Sequence, residues 1–246
     1  MNLVEFKNVY LNKKDEQDQD VKILRDLSFS VPAGSIFALA GPSGSGKSSA
    51  LRLINRLDDS SAGDIFIDGR EIRDWEIGEL RSRVGFMFQD SALFEGSVME
   101  NILYGLCLQG LKKCDHEPTA QKFLEQVGLP PELLHRNVES LSGGQKQRVN
   151  LARTLAMEPD IILMDEPTSS LDPAAAQVIE QLVLKLNGEA QKTFILVSHN
   201  LEQIQRLAGA CAVLDQGRAV FTGVPEELFA AEDVTGLLLN GKGGEE

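Results

Sequence analysis

Apolar positions in this chain fall into short runs that alternate with helical patterns. Ile36 to Ala40, Asp64 to Asp68, Val84 to Phe88, Ile161 to Asp165, Phe194 to Ser198 and Cys211 to Asp215 are β-rich or continuously apolar and end in polar or turn residues, which predicts strands. Leu3 to Lys7 and Ser28 to Val31 read the same way, and the strands up to about Asp68 read as antiparallel. Helical patterns cover Lys47 to Leu57, Gly143 to Met157 (stopped before Pro159) and Ala174 to Leu186. The last opens with Asp172-Pro173, an N-cap followed by a first-turn proline. Strands alternating with helices predict an α/β domain whose mostly parallel sheet is covered on both faces. From about Asp90 to Glu158 the pattern is helical without a good strand, so a helical lobe inserted into the sheet domain is expected. The polar run Lys13 to Asp20 predicts a solvated turn, and the Gly- and Glu-rich residues 241–246 a disordered tail.

Composition narrows the class. Of 246 residues, 42% are apolar and 25% charged, values ordinary for a folded soluble domain. The apolar runs are too short to cross a bilayer, and the start Met1 to Lys7 lacks a signal-peptide pattern. The expected location is the cytoplasm, with any membrane role requiring a separate subunit. The formal charge of −13 argues against nucleic acid as a partner, because no local basic stripe is legible in the sequence. Cys107, Cys114 and Cys211 form no CxxC pair and read as free thiols.

One loop carries explicit chemistry. Gly41-Pro42-Ser43-Gly44-Ser45-Gly46-Lys47-Ser48 matches GxxxxGK followed by Ser or Thr, directly after an apolar strand and before a helix. Glycines at this spacing let successive N–H groups point inward at the positive end of a helix dipole. Lys47 adds a mobile charge for β and γ phosphates, and Ser48 a hydroxyl for Mg²⁺, so Ser49 carries no metal role. Asp165 and Glu166 end a buried strand. Asp165 is suited to hold Mg²⁺ through water and Glu166 to polarise an attacking water as general base. Alone, such an acidic pair reads equally well as a helix cap.

Leu141-Ser142-Gly143-Gly144-Gln145 supplies a second helix end with a Ser N-cap and bare glycine N–H groups. This LSGGQ resembles the signature of the ABC ATPase family. The resemblance spans roughly residues 3 to 230 and implies a P-loop NTPase fold with an ABC-type antiparallel β subdomain and an inserted helical lobe. It divides one domain, 1–240, into a RecA-like core and β subdomain (about 1–89 and 159–240) and a lobe (about 90–158). It also assigns roles. Gln89 looks like the Q-loop glutamine that contacts Mg²⁺, Ser170-Leu171-Asp172 like the D-loop, and His199 like the switch histidine at the γ-phosphate. Ser142, Gly143, Gly144 and Gln145 would close on the ATP of a partner copy, giving an ATP-dependent homodimer with MgATP at its interface. A lone strand-end His is more often structural; the full set reverses that reading for His199.

One position departs from the family. Counting from Asn8-Val9, the aromatic residue that stacks on adenine is expected near Lys13, and Tyr10 is the nearest candidate. The segment Asp90 to Gly105 corresponds to the region that meets a membrane permease. Its Phe94, Val98 and Ile102 repeat at helical spacing, as a lobe core or a docking face. Val84 to Gly105 and Val197 to Leu207 resemble bacterial ABC ATPases of the iron-export type and their plant aluminium-tolerance relatives. Leu51 to Leu57 suggests instead an importer ATPase of the phosphate or amino-acid type. A soluble non-transport ABC ATPase is the alternative of another class. The transporter readings place the chain on the cytoplasmic face of the inner (plasma) membrane.

Overall fold

The computed structural model describes residues 1–15, 17–89, 92–110 and 112–240. The expected tail 241–246, the lobe's first residues Asp90 and Ser91, and the side chain of Cys114 lie outside the described residues.

Two sheets share the chain. β1 (Asn2–Lys14), β2 (Asp20–Pro32), β4 (Ala62–Ile67) and β5 (Arg70–Glu71) form an antiparallel sheet in the order β2-β1-β4-β5. The other sheet has six strands. They are β3 (Ile36–Ala40), β6 (Val84–Met87), β7 (Ile161–Asp165), β8 (Thr193–Val197), β9 (Ala210–Asp215) and β10 (Arg218–Gly223). Their order is β10-β9-β3-β8-β7-β6, all neighbours parallel except the β9–β10 hairpin.

Continuous apolar runs become the strands buried on both faces. On β3, Ala38 and Ala40 pack into one core while Phe37 and Leu39 pack into the other. Ile162 and Met164 of β7 divide from Ile161 and Leu163 in the same way. The antiparallel sheet covers the second core through a ring stack, Phe6 on Phe29 at 4.4 Å and Phe29 on Phe37 at 5.5 Å. Phe29→Ala would remove the centre of that stack, at a cost of about 3–5 kcal/mol.

Helix α1 (Lys47–Ile54) follows β3, and the short α2 (Ile77–Arg83) precedes β6. Between β6 and β7 lie α3 (Val98–Leu108), α4 (His116–Gln126) and α5 (Gly143–Leu155). No strand occurs there among the described residues, only the isolated bridge Ser97–Asn137. The chain closes with α6 (Pro173–Ala190), α7 (Leu201–Leu207), α8 (Pro225–Ala230) and α9 (Glu232–Asn240).

Three features differ from expectation. The polar run Lys13 to Asp20 is not a turn throughout: Lys13 and Lys14 pair with Val21 and Asp20 in the ladder. Ladder bonds need no apolar face, and the Asp15 carboxylate tightens the turn by accepting from the Gln17 and Gln19 N–H groups. Second, Phe94 is not on the helix of Val98 and Ile102. Gly96 at φ 131° and a capping box between Ser97 and Glu100 start α3 at Val98. Val98 and Ile102 are fully buried in the lobe core, whereas Phe94 is 49% exposed. Third, β10 was not legible in the sequence. It alternates half-buried and exposed residues at a sheet edge, a weak signal beside the fully apolar runs.

Candidate active site

The parallel strands deliver their C-terminal ends to one cleft, where open α/β sheets bind ligands. β3 runs into the loop 41–46, β6 toward Gln89, β7 into Glu166 and β8 into Ser198 and His199. The cleft holds a cavity of about 580 Å³ lined by Ile23, Gly41, Pro42, Ser43, Gly44, Gly46, Lys47, Ser48, Ser49, Gln89, Glu166, His199 and Leu238. Residues far apart in sequence, Ile23 and Leu238 among them, are thus brought together at one cleft.

Glycine is required at two loop positions. A Cβ on Gly41 would run into the Leu214 carbonyl oxygen, and one on Gly46 would lie 2.6 Å from Leu24 Cδ2. Gly46 is also the N-cap of α1, at φ 103° and without a side-chain cap bond. The first-turn N–H groups therefore have no cap oxygen competing for them, and an anion can take them. Ser45 is buried beneath the loop, and its carbonyl accepts from the Gly217 N–H at 3.1 Å.

Charge is arranged for a phosphate and a hard cation. Lys47 Nζ donates to the carbonyls of Gly41 at 2.9 Å and Pro42 at 2.7 Å. Burial lowers the Lys47 pKa, opposed by the charges of Glu166 and Asp165. The Asp165 carboxyl is pushed up, first by burial, against the hydrogen bond from Ser48. Ser48 Oγ donates to Asp165 Oδ1 at 2.9 Å. This hydroxyl–carboxylate pair beside a phosphate loop offers oxygen donors of the kind that would fit Mg²⁺. Among the described residues no three His, Cys, Asp or Glu side chains form a metal-holding group.

Glu166 sits at φ 46°, a backbone conformation that costs a non-glycine residue about 1–3 kcal/mol. It is held there because its N–H donates to Val197 O at 3.2 Å and its carbonyl accepts from Ser169 N and Oγ at 3.2 and 3.1 Å. Glu166 Oε2 lies 3.4 Å from His199 Nδ1.

The signature residues lie elsewhere. Ser142 caps α5 with a capping box: its Oγ accepts from Gln145 N at 3.3 Å and Gln145 Oε1 accepts from Ser142 N at 3.0 Å. Ser142, Gly143 and Gly144 line a cavity of about 250 Å³ together with Ser170, Leu171 and Asp172. Asp172 caps α6, accepting from Ala174 and Ala175 N–H groups at 3.0 Å. That cavity shares no lining residue with the phosphate-loop cavity. One bond links the lobe to the cleft: Gln147 Nε2 of α5 donates to Gln89 O at 2.9 Å.

Tyr10 is not brought to the cleft. Val9 and Leu11 point into the core, so strand alternation turns Tyr10 to the opposite face of β1. There it lines a separate depression with Asn12, Lys22, Arg25, Ser61, Ala62 and Arg218. Lys13, where an aromatic residue was expected, is ion-paired to Asp58 at 2.8 Å. The expected free thiols are observed for Cys107 and Cys211, and burial pushes the Cys211 thiol up to about 11.

Fold and site together define a nucleotide-binding ATPase built on a parallel sheet. The ABC transporter family profile matches residues 24–169. The chain is 43% identical to Protein STAR1 of Oryza sativa subsp. japonica, over 86% of this chain and 60% of that protein. It therefore spans less than two thirds of that relative's length. It is 38% identical to the phosphate import ATP-binding protein PstB 2 of Aliivibrio fischeri (strain ATCC 700601 / ES114), over 85% of this chain and 80% of that protein. Among solved structures, it is similar to the dimeric post-hydrolysis state of the ATP-binding cassette MJ0796 bound to ADP and Pi. The TM-score is 0.81 at 30% identity, covering 90% of this chain and 98% of that one. The chain belongs to the ABC transporter family and is an ATP-binding, ATP-hydrolysing cassette.

Proposed function

We propose that this cassette hydrolyses MgATP between two copies of itself and drives a separate membrane permease, of the iron-export type. The observation that carries the dimeric reading is the separation of the two helix-end cavities within one chain. The signature residues lie outside the cavity of their own phosphate loop, and a second copy can supply them. The similarity to a dimeric cassette bound to ADP and Pi supports the same arrangement.

In this reading the loop 41–46 and the first turn of α1 hold the phosphates, and Lys47 neutralises the spreading charge. Ser48, Asp165 and Gln89 hold Mg²⁺, which screens the phosphate oxygens when bound. Glu166 orients water in line and accepts its proton, with His199 beside it. The partner's copy of the Ser142–Gln145 segment closes over the γ-phosphate. ATP moves the dimer because it binds the closed state better than the open one.

Phe94 and Tyr104 form an exposed ring pair at 4.5 Å, and Leu108 is 75% exposed one helical turn further on. This apolar surface follows Gln89 and supports the permease-facing assignment of that segment; Val98 and Ile102 belong to the core. No helix among the described residues is long and apolar enough to cross a membrane. A phosphate-importer role is the second reading, favoured by the identity with PstB 2. Purifying tagged E166Q with MgATP from its own cells in mild detergent tests the proposal. A stoichiometric multi-span protein is expected, and its sequence separates exporter from importer. Soluble partners alone, from demonstrably extracted membranes, would overturn the transport reading.

A further inference from the structure

We infer that Gln203 is a positioning residue that sets the geometry of the Glu166–His199 pair; this rests on the roles proposed above for those two side chains. His199 is 55% exposed in its side chain and meets only Glu166 among the described ion pairs. Its place is therefore decided by the backbone on either side of it. Ser198, just before it, is buried, and its Oγ donates to Gln203 Oε1 at 2.7 Å while accepting from Asn200 N at 3.0 Å. Gln203 N in turn donates to Asn200 Oδ1 at 3.2 Å, capping α7. Both neighbours of His199 are thus tied to one residue.

The same side chain reaches the Glu166 segment. Gln203 Nε2 donates to Thr168 Oγ1 at 2.9 Å, two residues beyond Glu166, and to Glu180 Oε1 at 3.1 Å. Glu180 is 6% exposed and anchored by Arg206, whose Nε and Nη2 donate to its two oxygens at 3.0 and 2.9 Å. A carboxylate only accepts, so the amide must present its N–H to Glu180 and its oxygen to the Ser198 hydroxyl. Gln203, itself 3% exposed, joins the strand ends of β7 and β8 through one rigid amide. Glu at this position would lose both side-chain N–H bonds and set a second carboxylate against Glu180; Leu would lose every side-chain bond and keep only the backbone N–H bond to Asn200.

Gln203 touches no reacting atom in this assignment, so its loss must appear in turnover rather than nucleotide binding. We would compare wild type, E166Q, Q203L, Q203E and the swap E180Q/Q203E by steady-state MgATP hydrolysis, direct nucleotide binding and nucleotide-free thermal melting. Q203L is expected to lower kcat by about 10²-fold, the effect of misplacing a catalytic group by about 1 Å, with KM and nucleotide affinity unchanged. Q203E is expected to be worse than the swap, which again sets one amide against one carboxylate and recovers part of kcat. Wild-type turnover in Q203L, or a loss matched by weaker nucleotide binding, would overturn the inference. Should Q203L not fold, a swap no better than Q203E does the same. E166Q separates the two failures. If it turns over normally, the assignment of Glu166 falls and this inference with it. If E166Q is inactive while Q203L is normal, only the role of Gln203 falls.

Discussion

Two helices in this molecule start at glycines, and the two starts are built for different tasks. α1 opens at Gly46 with no side-chain cap, against a desolvated Lys47 and a half-buried carboxylate, Asp165. α5 opens at Ser142 with a closed capping box and no acidic residue in its first turn. The first end is a charged cleft whose cost of burial is relieved when phosphate and cation arrive. The second is already satisfied by its own side chains and has little to offer alone. Helix N-termini share a dipole, but the side chains around each decide whether it binds an anion by itself or completes a site built elsewhere.

The sharpest way to break this comparison is at the strand ends beside α1. E166Q is expected to lose about 10²–10⁴-fold in turnover while forming an MgATP-dependent dimer by size exclusion. Normal turnover would remove Glu166 as the base. Next comes complementation. K47A and S142A should each be inactive, yet their mixture should recover activity, because a heterodimer joins an intact phosphate loop from one copy to an intact signature end from the other. No recovery, with heterodimers present, would assign both helix ends to the same chain's nucleotide.

The charged end also carries a stability signature. Burial raises the Asp165 carboxyl above its ordinary value, so the folded state holds this proton more tightly than the unfolded chain. Stability from this group is present below the unfolded value and is lost as pH rises through the raised one. D165N removes that loss. Its nucleotide-free melting midpoint at neutral pH should rise, while MgATP hydrolysis disappears. A lower midpoint would show the carboxylate to be stabilising. Smallest of all, F94A/Y104A should leave stability within about 0.5 kcal/mol and basal hydrolysis unchanged, yet lose any co-purifying membrane protein. Retained co-purification would assign the permease contact to another surface.

Much of the site was legible because its devices are local. The glycine spacing of 41–46, the Ser142 cap, the Asp172-Pro173 helix start and the acidic end of Ile161 to Asp165 each depend on a few consecutive residues. The illegible parts depend on direction or distance. Tyr10 was the nearest aromatic in sequence, but one step of strand alternation turns it away from the cleft. Phe94 shared a helical spacing with Val98 and Ile102, but Gly96 and Ser97 start the helix after it. Gln203 gave no signal, because a glutamine in a short amphipathic segment looks like any solvated polar residue until Ser198, Thr168 and Glu180 surround it.

The amino-acid sequence by itself determined which chemistry the chain carries and in what order, since turns, caps and apolar runs are set by hydrogen bonds and sterics within a few residues. Only the tertiary structure decided which groups meet. Strand order β3-β8-β7 brings Lys47, His199 and Glu166 to one edge, and it leaves the signature end of α5 in a cavity of its own. Contacts between distant segments depend on how twisted open sheets and a packed core place whole elements, and no local pattern encodes that placement.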